Sequence, residues 1–181
     1  MKNTTQFITI NGVGIALFVV LTMCLQVPVF ENYYLCLGYV VMMVYCYIFG
    51  PASGAIVGSL GVILYCVLTA GLRGMPGWTL GNLVIGIICG IVFTKAKMIE
   101  SVWLRRGLMA VTIIAVTAAG ILGIKSLTES LLYAQPILVR MAKNNYAFAA
   151  DAVMMTVSIP VCEVLEKSKS LEHLQKSYSE L

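Results

Sequence analysis

Six stretches of this chain are long and apolar enough to cross a bilayer, and they sit within only 181 residues. A hydrocarbon core of ~30 Å takes about 20 helical residues. The spans read from the sequence are 7–25, 34–49, 52–72, 77–94, 107–124 and 145–165. The second is short. The segment between the fifth and sixth, Lys125–Lys143, is amphipathic and too charged to span. The chain is 60% hydrophobic and 11% charged, with a mean hydropathy of +0.92, so almost nothing is left over for a soluble domain. Barrel strands would alternate over ~10 residues, whereas these runs are apolar on all sides. The expectation is an all-α integral membrane protein. It is a single transmembrane domain, residues 1–181, folded as a compact six-helix bundle.

Lys and Arg set the orientation. With six spans, Lys2, Lys95, Lys97, Arg105, Arg106, Lys167, Lys169 and Lys176 fall on one side. Arg73, Lys125, Arg140 and Lys143 fall on the other. The bias places both termini in the cytoplasm, with residues 166–181 as a cytoplasmic tail. The net charge of +4 is therefore a topology signal, and no nucleic-acid reading follows from it. The first apolar run exceeds a typical signal-peptide core and precedes no small-x-small cleavage site, so it reads as the first span. The six cysteines, Cys24, Cys36, Cys46, Cys66, Cys89 and Cys162, form no C-x-x-C pair and read as buried small hydrophobes.

Gly50-Pro51 joins the second and third spans with no room for a loop, because Pro is accommodated in a helix's first turn. Gly54 and Gly58 form a small-xxx-small face that lets backbones approach closely. Gly12 and Ala16 form another on the first span. Its two readings are packing within the bundle and a docking face for another membrane subunit.

Polar and aromatic groups gather at the opposite ends of the spans. Tyr34, Arg73, Trp78, Tyr133, Arg140, Asn144, Asn145 and Tyr146 lie there, a mixture that suits a shallow pocket for a polar, ring-bearing solute. Trp78 and Tyr34 read equally as interfacial anchors. Asp151, about two turns into the sixth span, is the outstanding single residue, because a carboxylate in hydrocarbon is costly. Three roles stand open for it: a ligand contact, a structural bridge to Arg73, Arg140 or Lys143, and a proton-relay group. Asn82 follows Trp78 by four residues and shares its helix face. A buried amide there needs partners, supplied by a ligand or a neighbouring helix.

Enzymatic motifs are missing. There is no P-loop, and the single histidine, His173, lies in the tail, so no His-based triad or metal cluster is expected in the membrane. No cofactor or metal is expected. No internal repeat supports an inverted-repeat transporter.

At Ile48-Phe49-Gly50-Pro51-Ala52-Ser53-Gly54-Ala55-Ile56-Val57-Gly58 the chain resembles the substrate-binding S components of energy-coupling factor (ECF) vitamin transporters, many of which carry F-G-P-x-x-G-x-x-x-G between spans two and three. Gly74-Met75-Pro76-Gly77-Trp78 is similar to the third loop of the riboflavin-type and related branches. Gly12-x-x-x-Ala16 resembles the family's A-x-x-x-A docking motif, with Gly in place of the first Ala. The resemblance implies a multi-pass protein of the bacterial plasma membrane that captures one vitamin or precursor from outside. Its implied partners are a membrane coupling subunit and two cytoplasmic ATPases, on which it topples to deliver its ligand; ATP hydrolysis is expected only in those partners. Tyr34, Arg73, Trp78, Asn82, Tyr133, Asn145, Tyr146 and Asp151 are the implied pocket, and Gly12 and Ala16 the docking face. One acid with aromatic neighbours fits a B6 vitamer or the hydroxymethylpyrimidine of thiamine. The N-terminus lacks the Met-His pattern that divalent-metal members use. Readings from other classes are a stand-alone proton-coupled carrier using Asp151 and a structural or regulatory membrane subunit.

Overall fold

The computed structural model describes residues 2–30, 33–69, 71–72 and 74–168, without the side chains of residues 2–3 and 26–34. Arg73 and the tail from residue 169, with His173, lie outside the described residues. The chain runs α1 (Lys2–Cys24), β1 (Gln26–Phe30), β2 (Tyr33–Cys36), α2 (Gly38–Phe49), α3 (Pro51–Leu68), α4 (Met75–Ala96), α5 (Val102–Thr117), a π-helical stretch (Ala118–Lys125), α6 (Ser126–Tyr133) and α7 (Ile137–Glu166). Among the described residues, five helical segments are long and apolar enough to cross a membrane: Thr4–Cys24, Pro51–Leu68, Met75–Ala96, the continuous Val102–Tyr133 and Ile137–Glu166.

Three departures from the sequence expectation share one cause, the way the connections fold. Residues 33–36 pair as a strand with β1, in the register Gln26↔Cys36, Val27↔Leu35, Pro28↔Tyr34 and Phe30↔Tyr33. Tyr-Tyr-Leu suits a strand, and the hairpin leaves only 12 residues for α2, about 18 Å of helix. Among the described residues the regular structure is thus helical except for this two-stranded hairpin. The amphipathic segment 125–143 does not form a separate element. Its first half continues the fifth helix through the π-helical turns into α6. Its second half opens α7, after Ala134 turns the chain in the left-handed region (φ 49) and Pro136 caps the new helix. The two longest segments, 32 and 30 residues, therefore form a pair extending well past the ~30 Å that a span needs.

The Gly50-Pro51 junction forms as its residues dictate. Gly50 takes φ 85, a conformation open to Gly at little steric cost, and Pro51 occupies the first turn of α3. α4 then lies on α3 at backbone distance. A Cβ at Gly86 would fall 2.6 Å from the Cα and N of Ala55, and one at Gly90 would fall 2.6 Å from the Pro51 N. Gly54 and Gly58 receive Cys46 and Met42 of α2, so their small face is used within the bundle. Phe18, Tyr39, Met42, Met43, Tyr47, Ile85, Phe93, Met109, Ile113 and Met155 fill the core between the helices. The unbranched methionines adapt to the irregular gaps there. Cys36, Cys46, Cys66, Cys89 and Cys162 are buried, whereas Cys24 is exposed.

Candidate functional site

Two polar clusters lie toward the hairpin end of the bundle, and a third ties its Gly50 end. The first is built on Tyr39, in the first turn of α2. Its hydroxyl donates to Asp151 Oδ2 at 2.9 Å and accepts from Trp78 Nε1 at 2.5 Å. Asn82 Oδ1 lies 3.4 Å from the same oxygen, and Asn82 Nδ2 donates to the Gly58 carbonyl at 3.3 Å. Four helices contribute: α2 with Tyr39, α3 with Gly58, α4 with Trp78 and Asn82, and α7 with Asp151. Tyr39 and Asn82 are fully buried and Asp151 is 6% exposed. An unbonded polar group in such a place costs on the order of 1–3 kcal/mol, so the convergence satisfies its own members. Tyr65 meets Trp78 edge-on, with ring centroids 5.6 Å apart, and the Lys125 ammonium lies 5.9 Å from the Trp78 ring centroid.

Asp151 stands 14 residues after Ile137, about four turns into α7, deeper than the sequence count placed it. It nevertheless meets Tyr39 in the first turn of α2, because α7 begins eight residues before Asn145, the start the sequence analysis assigned to the sixth span.

The second cluster joins α6 to α7. Glu129 Oε2 accepts from Asn144 Nδ2 at 3.1 Å and pairs with Arg140 Nη1 at 3.6 Å. Asn144 Nδ2 also reaches Ser126 Oγ at 3.0 Å. The Arg140 guanidinium stacks over the Tyr133 ring at 5.2 Å. Lys125, Ser126, Glu129 and Asn144 are all buried. A Cβ at Gly77, in the first turn of α4, would sit 3.0 Å from the Lys125 carbonyl and 3.3 Å from Glu129 Cγ. The close approach there fixes α4 against the start of α6, beside Trp78.

At the Gly50 end, Arg106 grips Glu163 with Nε at 3.0 Å and Nη2 at 2.6 Å, and Arg105 Nη2 joins at 3.3 Å. Tyr47 donates to Glu166 Oε2 at 2.7 Å, and the Lys97 ammonium sits 4.5 Å over the Tyr47 ring. Burial pushes the Lys97 amine below its usual range, with the Glu166 carboxylate opposing that shift.

Among the residues singled out from the sequence, the structure brings Trp78, Asn82 and Asp151 together. Tyr133 joins the Glu129–Arg140 cluster. Asn145 and Tyr146 are exposed on α7, while the neighbouring Asn144 is the buried amide. Tyr34 has its backbone in β2 and its side chain outside the described residues, as does all of Arg73. Of the cations considered as bridges to Asp151, Arg140 pairs with Glu129 instead. Gly12 and Ala16 are exposed on α1, and a Cβ at Gly12 would meet nothing within 4 Å. Sequence reasoning did not single out Tyr39, Lys125 or Glu129, and it named Asn144 only among the polar groups at the ends of the spans. Tyr39 lies in an apolar run with Tyr45 and Tyr47, where no period distinguishes it. Glu129 was visible only as one charge of an amphipathic segment. Among the described residues, no group of three or more His, Cys, Asp or Glu side chains is placed to hold a metal ion.

The chain is 24% identical over 140 residues to a UPF0397 protein of Lactococcus lactis subsp. cremoris (strain NZ9000), a match covering 75% of each chain. It is 29% identical over 94 residues to a UPF0397 protein of Streptococcus thermophilus (strain ATCC BAA-491 / LMD-9), covering 52% of this chain and 51% of the relative. Residues 2–167 match the family described as ECF-type riboflavin transporter, S component. With that match running from the first helix to the end of α7, and with its apolar spans, the chain is a multi-pass membrane protein that belongs to the ECF-type riboflavin transporter S component family.

Proposed function

We propose that this protein captures a small water-soluble vitamin or vitamin precursor at the outer face of the bacterial plasma membrane and delivers it inward as the S component of an ATP-driven ECF transporter. The observation that carries the proposal is the convergence of Trp78, Asn82 and Asp151 on Tyr39. It is a buried polar set beside an aromatic face, with side chains drawn from three helices and the Gly58 carbonyl from a fourth. The Trp78 N–H is engaged by Tyr39, so its ring face is what a flat ligand meets. Asp151 accepts from a ring N–H or amino group. That chemistry favours a pyridine or aminopyrimidine of the B6 or hydroxymethylpyrimidine type, and the family's description makes riboflavin the third compound to test.

Counting the short α2 as a span gives six, and the excess of Lys and Arg then puts the Gly50 end and both termini inside. The hairpin end faces out and receives the ligand. Gly12 and Ala16, both exposed on α1, with open space where a Gly12 Cβ would stand, form the docking face for the membrane coupling subunit. Two cytoplasmic ATPases bind and hydrolyse ATP, and the partners supply the differential stabilisation that topples the S component and resets it.

Mass spectrometry of small molecules released from the detergent-purified chain tests capture. A stoichiometric vitamin or precursor is expected. If the protein is empty and riboflavin, pyridoxine and hydroxymethylpyrimidine all fail to raise its unfolding temperature, capture of these ligands is refuted.

A further inference from the structure

We infer that Tyr39 is a positioning residue for ligand capture, its hydroxyl holding the Asp151 carboxylate and the Trp78 indole in the arrangement that a ligand meets. The inference rests on the capture reading above and adds to it a residue that touches the binding groups from behind.

A phenolic hydroxyl has one hydrogen to give and lone pairs to receive with. The hydrogen goes to Asp151 Oδ2 at 2.9 Å rather than to Asn82 Oδ1 at 3.4 Å, because the shorter contact lies in the usual range of a hydrogen bond and the longer one beyond it. The lone pairs receive the Trp78 N–H. One oxygen thus sets two groups on two different helices. It fixes the carboxylate while engaging one of its two oxygens, so acceptor capacity remains for a donor on a solute. It also occupies the only polar atom of the indole, which turns Trp78 into a fixed apolar wall.

Tyr39 is itself held by packing and not by the solute. It is fully buried, and its ring meets Phe18 of α1 edge-on, with centroids 5.9 Å apart and planes at 79°. The residue before it, Gly38, lies so close to α1 that a Cβ would fall 2.6 Å from the Phe18 carbonyl oxygen. The hydroxyl position is therefore determined by how α2 seats on α1, before any ligand arrives. Such preorganisation raises affinity by lowering the cost of ordering the site.

The chain has two tryptophans, and Trp103, 80% exposed, lies far from this cluster in sequence and at the other end of the bundle. Trp103→Phe makes Trp78 the sole fluorescent indole. In that background Tyr39→Phe removes one oxygen and leaves the ring. The expected result is a shift of Trp78 emission to shorter wavelength, because the indole N–H loses its partner. Asp151→Asn alone is expected to change the emission too, and to change nothing further when combined with Tyr39→Phe. Whichever of riboflavin, pyridoxine or hydroxymethylpyrimidine stabilises the Trp103→Phe protein is expected to bind Tyr39→Phe at least tenfold more weakly, with the ligand-free unfolding temperature within a few degrees.

Unchanged Trp78 emission, additive emission changes or undiminished affinity overturns the positioning role. If Tyr39→Phe fails to fold, Asp151→Asn decides alone, and emission indifferent to it overturns the relay through the hydroxyl. If none of the three vitamins binds the Trp103→Phe protein, the capture reading falls for them, and the emission arms still decide what Tyr39 holds.

Discussion

A carboxylate taken out of water costs several kcal/mol unless it is bonded, and Asp151 meets that cost through the Tyr39 hydroxyl at 2.9 Å. Asp151→Asn keeps the shape and removes the charge. A charge-assisted hydrogen bond contributes roughly 1.5–3 kcal/mol, so the variant is expected to bind the captured vitamin at least tenfold more weakly while folding normally. Calorimetric titration reads this, and unchanged affinity would assign Asp151 a purely structural role. Glu129 answers to a different expectation, because its partner Arg140 is largely buried. Glu129→Gln leaves that guanidinium without its counter-ion, and a loss of about 1–3 kcal/mol is expected after allowing for the partial exposure of Arg140, read as a lower unfolding temperature in detergent. Asp151 was legible in the sequence because an acid in an apolar run is conspicuous at any register. Tyr39 was not, because a tyrosine in such a run looks like core or anchor until the helices that meet it are known.

Two glycine positions separate packing from docking at the level of the helix. Gly86 of α4 lies against the α3 backbone, where even a methyl group would come within 2.6 Å of Ala55. Gly86→Ala is expected to cost about 1–3 kcal/mol through overpacking, visible as a fall in the unfolding temperature. Gly12 of α1 has open space around it, so Gly12→Leu should leave stability and vitamin binding unchanged. It should nevertheless abolish copurification with the coupling subunit, since the added volume holds two close-packed helices apart. Normal copurification would remove α1 from the docking face. The Gly-Pro junction and the small face of α3 could be read locally because steric rules act on neighbouring residues. The length of α2 could not, since the hairpin that shortens it depends on strand pairing across a turn. Nor could the start of α7, because the same amphipathic residues serve equally as a surface segment or as two turns of a projecting helix.

Taken whole, the bundle is polar and layered at its hairpin end and clasped at its Gly50 end. Arg105 and Arg106 of α5 hold Glu163 of α7, Tyr47 of α2 holds Glu166, and Lys97, just past α4, covers the Tyr47 ring. A stand-alone carrier that alternates access within its own bundle must part these helices in every cycle. A protein that reorients as a body keeps them together and releases its ligand through the mouth by which it entered. The two mechanisms respond oppositely to a tie across the clasp. In a cysteine-free background, Arg106→Cys and Glu163→Cys joined by a short thiol-reactive cross-linker should leave ATP-driven vitamin uptake by the reconstituted complex within about twofold of the uncross-linked protein. The twofold margin allows for weakening of the inner end when its ion pair is replaced. Uptake that stops on cross-linking and returns with a cleavable reagent would show that the Gly50 end opens. It would then favour the carrier reading in which Asp151 moves a proton with its solute.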